Sequence, residues 1–227
     1  KSDEESYGRE VLGRFMRRAW RRPATTREVD QFMALFTSYR PGFSHFEDAM
    51  VEVLATVLAA PEFLYLAQEV AADQAGNPGT ISELELASRL SIFLWSSIPD
   101  EQLLELAQQG KLKEPGALAA QVKRMLADPR ARRFSENFVQ QWLGMDGLDS
   151  VTHVTDSSLK EAMRQEPIAF FQELLERNSS VMDFIHSDYA VVNERLAAHY
   201  RIPDVHGPHF RRVPIDPQMN RGGVLTG

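Results

Sequence analysis

Apolar residues recur at helical spacing through almost the whole of this sequence, and residues that start and stop helices fall between the recurrences. In the stretch EVLGRFMRRAW, Leu12, Phe15, Met16, Ala19 and Trp20 share one helical face, and Pro23 closes the run. Thr25 and Glu28 form a capping box ahead of Val29, Phe32, Leu35 and Phe36, which predicts a second helix stopping at Pro41-Gly42. Ser44 and Glu47 repeat that pattern ahead of Phe46, Ala49, Met50, Val53, Leu54, Val57 and Leu58. This third helix is the most apolar, so it is expected to be the most buried, with Val53 and Leu54 facing the other two. Pro61 ends or kinks it.

The same style continues further on. Ser82 and Glu85 cap a helix with Leu86, Leu90, Phe93 and Leu94 on its apolar side. Asp100 opens a short helix through Leu103, Leu104 and Ala107, with Gly110 as its C′ residue. Leu118, Val122, Met125 and Leu126 mark the next. Asp128-Pro129 opens one carrying Phe134, Phe138, Val139, Trp142 and Leu143. A longer helix through Leu159, Phe170 and Leu175 is bent by Pro167, and short helices follow near Val181–Ile185 and Asn193–Tyr200. No period-2 alternation persists before the C-terminal tail. The expected fold class is all-α, a bundle of about eight to ten helices in two subregions with an irregular Pro/Gly-rich tail.

The polar segment DQAGNPGT divides the two periodic regions. The expected organisation is a three-helix module over 1–72, a linker over 73–80, a larger helical module over 81–200 and an irregular tail over 201–227. The tail holds four of the twelve prolines and four of the thirteen glycines, too broken for helix. It is expected to lead into a further module, and GGVLTG could begin a strand.

Composition then removes whole classes of function. There is no cysteine, which excludes disulfides, iron–sulfur clusters, covalently attached haem and thiol nucleophiles. No apolar run is long enough to span a bilayer. The start KSDEES has no apolar signal region, so any export signal is expected to have been removed. A formal net charge of −7 argues against coating nucleic acid or anionic membranes. Arg14, Arg17, Arg18, Arg21 and Arg22 share a helical face, and without interleaved aromatics they read as a solvated face paired with nearby acids.

Candidate chemistry is sparse. There is no G-x-S-x-G, P-loop, G-x-G-x-x-G or H-E-x-x-H, and no catalytic residue can be named. His199, His206 and His209 are the only close histidines; two sit in a Pro/Gly loop without carboxylates at a fixed spacing, so no metal site is expected. Asp146, Asp149 and Asp156 share a loop that does not fit the calcium pattern. If the chain has a site, the residues point to the tail. His206, His209, Arg211, Arg212 and Arg221 carry donors, and Gly222 and Gly223 permit close backbone approach. Paired Arg donors suit a carboxylate or sulfate, so an anionic ligand is the natural expectation.

FMRRAWRRPATTREV with FEDAMVEVLATVLAAPEFLY resembles one module of the large planctomycete-specific multidomain proteins. ELASRLSIFLWSSIPDEQLLELAQQGKL, RRFSENFVQQWLGMDGL, DYAVVNERLAAHYRIPDVHGPHFRRV and RGGVLTG resemble the next. The resemblance covers about residues 9–70 and 80–226. It implies a large exported bacterial protein, periplasmic or otherwise extracytoplasmic, often carrying a c-type cytochrome domain. Two departures stand out. The RGG motif of those proteins runs on into a Ser/Thr-rich stretch and a Pro-Val-x-Arg-Gly motif, and no C-x-x-C-H is present here.

No cofactor is therefore expected in this chain, and any haem c would belong to a neighbouring domain. The expected partners are other modules of the same polypeptide, a cytochrome c domain among them, with no nucleic acid. Two functions compete: a helical scaffold or interaction domain, and the substrate-side part of an extracytoplasmic oxidoreductase that passes electrons to a cytochrome outside the chain. A hydrolase has least support, because no nucleophile–base pair is visible.

Overall fold

A computed structural model describes residues 2–66, 81–216 and 221–224. Among them are ten α-helices, four short 3-10 helices and one two-stranded sheet, so the fold is mostly helical. The linker expected at 73–80 lies outside the described residues. The chain divides into two compact units, Lys1–Val122 and Lys123–Gly227.

The first unit opens with α1 (Ser2–Ala19), α2 (Thr26–Tyr39) and α3 (Phe46–Ala59), followed by the single turn α4 (Pro61–Leu64). Their shared core holds Leu12, Met16, Met33, Phe36, Met50, Val53 and Val57. Thr25 and Glu28 make the capping box reciprocally: the Glu28 N–H donates to Thr25 Oγ1 at 3.2 Å, and the Thr25 N–H donates to Glu28 Oε2 at 2.7 Å. Arg22 adds a donor to each Glu28 oxygen at 2.7 and 3.1 Å. The Arg22 bonds, with Thr25 behind them, hold the Glu28 carboxyl down at about 2 despite partial burial. A carboxyl depressed on folding stabilises the native state above about pH 4.5, and that contribution is lost as pH falls towards 2. The urea midpoint of Glu28→Gln should therefore fall less steeply than that of the parent between those values.

Two expectations for this unit change. Ser44 does not cap α3; His45 takes the N-cap position without a side-chain hydrogen bond. Nor is α3 buried all round: Val53 is fully buried, but Leu54 is only half-buried, and Val51 and Leu58 are exposed. An apolar stretch of this length has one face to bury, and the remainder meets water.

Further along the unit come α5 (Glu83–Trp95) and α6 (Glu101–Gln108), N-capped by Ser82 and Asp100 as their sequences predict. The buried face of α5 differs from the expected Leu86, Leu90, Phe93 and Leu94. It presents Ala87, Ser88, Ser91, Leu94 and Trp95, while Phe93 is exposed. Small residues permit close approach along that face, and the Ser88 and Ser91 hydroxyls donate to the Leu84 and Ser88 carbonyls of their own helix. α7 (Ala117–Leu126) runs across the division between the units.

The second unit is built on α8 (Arg132–Leu143) and the long α9 (Ser157–Arg177), which contains Pro167. The cap of α9 is Asp156, whose side chain accepts from the Ser158 and Leu159 N–H groups. Here the sequence reading missed a strand pair. β1 (Tyr189–Val192) pairs antiparallel with β2 (Arg211–Pro214), with Tyr189 opposite Pro214 and Val192 opposite Arg211. Four residues are too short to display a period, and β1 buries Tyr189, Val191 and Val192 rather than alternating. The tail is thus only partly irregular. Between the strands lies α10 (Glu194–Tyr200), capped by Asn193. No strand starts in 221–224, and the rest of the expected GGVLTG strand lies outside the described residues.

Candidate ligand-binding site

Within the second unit α9, β1, α10, the 143–151 stretch and the 221–224 segment line an open cavity of about 470 Å³. Most of its wall is apolar, supplied by Leu143, Leu148, Met163, Phe170 and Val191 among others. Pro167 sits on the same wall, and because it has no N–H it cannot bond the Met163 carbonyl one turn back. Glu166 and Arg221 are the only charged side chains among the described residues lining the space.

Those two charges are organised by Tyr200, the last residue of α10. Its hydroxyl donates to Glu166 Oε2 at 2.6 Å, and the Arg221 guanidinium lies over its ring, 3.8 Å from the centroid. Burial raises the Glu166 carboxyl above its usual range, against the opposing pull of the Tyr200 bond and the Arg221 charge. Burial, then the nearby Glu166 charge, also pushes the Tyr200 phenol up, so it stays a donor at neutral pH. Arg221 Nη1 is buried with no hydrogen-bond partner. Such a nitrogen gives up its water without replacement, at a cost of about 1–3 kcal/mol.

Arg221 is held there by the two glycines that follow it. The Gly223 N–H donates to Ser187 Oγ at 2.9 Å, and the Val224 N–H donates to the Phe184 carbonyl at 2.9 Å. Ser187 in turn donates to the Tyr189 carbonyl at 2.7 Å. Gly222 has φ +149° and Gly223 +81°, and a Cβ on either would fall 2.1 Å from the Ser187 carbonyl oxygen or 2.5 Å from that of Phe184. The RGG segment is therefore a backbone strap lying flush on the 184–187 turn, a fit open only to glycine.

Of the residues singled out in the sequence, Arg221, Gly222 and Gly223 meet at this cavity. His206, His209, Arg211 and Arg212 do not: all four are exposed and lie off its lining. The Arg211 guanidinium donates to the His206 and His209 carbonyls, bracing its own loop. His209 and Arg211 also edge a separate polar depression of about 610 Å³ beside Glu161 and Glu173 of α9. Arg212 packs on the outer side of a cavity wall. Its guanidinium lies 3.7 Å from the Tyr189 ring centroid, while Phe170 stacks on that ring at 5.2 Å and 9°. Burial and a hydrogen bond to Asp183 push the Tyr189 phenol up to about 12.

The sequence reading missed Glu166, Tyr200 and Tyr189. One signal was present: an acidic residue immediately before a helix-interior proline, in the stretch RQEPIAFF. No group of three or more potential metal ligands occurs among the described residues, and none of their helices is long and apolar enough to cross a membrane.

Fold and cavity together define a mostly helical protein with an apolar-walled pocket sealed on one side by a glycine strap. Residues 81–202 match PSD4, a protein of unknown function (DUF1592), and residues 7–68 match PSD5, a protein of unknown function (DUF1595). The chain belongs to the DUF1592 family over its larger part, with the DUF1595 domain adjoining it. No curated protein and no solved structure matches it. Glu166, Tyr189 and Tyr200 fall inside the DUF1592 match, and Arg221 lies beyond its end.

Proposed function

We propose that this chain is the ligand-side part of a large exported bacterial protein, with the cavity of the second unit as the place where a small molecule binds. The observation that carries this reading is Arg221, which lines an apolar cavity and whose Nη1 is buried without a hydrogen-bond partner. A few convergent polar groups in a mostly apolar recess of a few hundred Å³ are the usual make-up of a small-molecule site. The resemblance to planctomycete-specific multidomain proteins supports the wider setting: an extracytoplasmic location, a cytochrome c domain elsewhere in the polypeptide, and a module boundary at 73–80. The matched stretches 7–68 and 81–202 flank that boundary. If a cytochrome domain receives electrons from a bound substrate, this chain is the substrate side.

A second reading, a scaffold that docks other modules of the same polypeptide, has one observation in its favour. Trp142, Val181, Met182 and Ile185 expose large apolar side chains, with Trp142 packed 5.2 Å from Phe184. The two readings part in a fragment screen followed by amide NMR. Binding in the cavity should shift the signals of Tyr189, Tyr200, Gly222 and Gly223 together. Shifts confined to Trp142 and 181–185 would replace the pocket with a docking surface.

A further inference from the structure

The chemistry of the cavity wall narrows the ligand, given that the cavity is the binding place. Arg221 lines the cavity and supplies guanidinium donors, of which Nη1 is buried and unpartnered. Glu166 offers an acceptor: Tyr200 occupies Oε2, and Oε1 receives no hydrogen bond from the described residues. The two charges are joined through the Tyr200 phenol, with the guanidinium on the ring face and the carboxylate at the hydroxyl, rather than by a direct ion pair. One group that accepts from Arg221 and donates to Glu166 would satisfy both.

Charge decides which group can sit there. With Glu166 ionised and Arg221 protonated, the lining carries no net charge. An anion drawn to Arg221 would also meet Glu166 in a low-dielectric recess, and an amine drawn to Glu166 would meet Arg221. A wholly apolar molecule would fill the walls but leave Nη1 unpaired. A hydroxyl both accepts and donates through a single oxygen and adds no charge. We propose that the Glu166–Tyr200–Arg221 cavity binds a neutral, hydroxyl-bearing molecule with an apolar body, a phenol or alcohol rather than a carboxylate.

The groups facing Glu166 are Tyr200 of α10 and Arg221 of the strap, with Met163 and Tyr189 along the same cavity. Its ionised form is favoured by both the Tyr200 bond and the Arg221 charge and opposed by burial. Alkaline solution favours the carboxylate, whereas lowering the pH favours the protonated form, which leaves Arg221 as the one charge and favours anions instead.

The test is calorimetric titration at pH 8 with three matched probes: 4-propylphenol, propylbenzene and 4-propylbenzoate. The phenol should bind about tenfold or more tightly than either of the others, since a site that hydrogen-bonds a hydroxyl penalises analogues lacking one. In Arg221→Met, which keeps an apolar side chain of similar length, the advantage of phenol over propylbenzene should shrink by about threefold or more, with Glu166 left as the hydroxyl's partner. In Glu166→Gln, which removes the negative charge, the benzoate should gain about tenfold relative to the parent protein. Circular dichroism melts establish that each variant is folded, and either variant alone suffices. Benzoate binding as tightly as phenol to the parent, or propylbenzene matching it, would overturn the hydroxyl selectivity while leaving the cavity a binding site. If none of the three binds, both the selectivity and the binding role fall together.

Discussion

Gly223→Ala is expected to unseat the strap and lower the melting temperature of the second unit by about 5–15 °C. The φ of +81° is strained for any residue with a side chain, at a cost of about 1–3 kcal/mol. The new methyl would also fall 2.5 Å from the Phe184 carbonyl oxygen and 2.7 Å from that of Asp183. Both are backbone atoms, so no rotamer change relieves the contact. Once the strap lifts, the Ser187 bond is lost and Arg221 leaves Tyr200, so ligand binding should disappear even where enough folded protein remains to measure it. Gly147→Ala is the matching control. Gly147 lines the same cavity, its φ is not positive, and nothing lies within 4 Å of its ideal Cβ. Its melting temperature should stay where the parent's is. Thermal unfolding followed by circular dichroism reads both variants, and equal midpoints for the two would mean that the strap is not seated as described.

The second large effect concerns Arg21. The sequence places it on a solvated basic face with Arg14, Arg17, Arg18 and Arg22. Three of those five meet the expectation: Arg14 pairs with Glu10, Arg17 with Glu101 and Arg22 with Glu28. Arg21 is instead buried with φ +60°, just past the end of α1. Its guanidinium donates to the carbonyls of Ala19 at 3.2 Å, Glu62 at 2.9 Å, Phe63 at 3.4 Å and Tyr65 at 3.1 Å. One side chain thus satisfies the open end of α1 and the turn of α4, where helix carbonyls have no N–H partner of their own. Burial lowers its pKa without threatening its charge. Arg21→Ala should cost about 3 kcal/mol, because several carbonyls lose their donor at once. Arg18→Ala, three positions away on the exposed side, should change stability by less than about 0.5 kcal/mol. Urea midpoints distinguish the two, and equal effects would return Arg21 to the solvated face.

Such contrasts mark what the sequence makes legible. Helix starts are local chemistry, so Thr25 with Glu28, Ser82 and Asp100 could be read directly, and each accepts the N–H its position predicts. Ser44 fails in the same terms: the pattern is present, but the chain enters α3 through His45. Which arginine turns inward is not local, since Arg21 finds partners 41 to 44 positions away. The site divides along the same line. Arg221, Gly222 and Gly223 stood out as a run, yet Tyr200 meets Glu166 across 34 positions, and Gly223 meets Ser187 across 36. His206, His209, Arg211 and Arg212 group with Arg221 in the sequence only because they are close along it. The pairing of β2 with β1 carries that stretch off the lining, and leaves Arg212 against the Tyr189 ring. A four-residue strand has no period to betray it, so neither the sheet nor its consequence for the site could be anticipated.

The most direct measurement of the central claim is a crystal structure of the protein grown with 4-propylphenol. The phenol oxygen should lie about 3 Å from the Arg221 guanidinium and from Glu166, with the propyl chain against the apolar wall and the RGG strap seated on 184–187. Density for the phenol against Trp142 and Ile185 with an empty cavity, or an Arg221 side chain turned out into solvent, would contradict it.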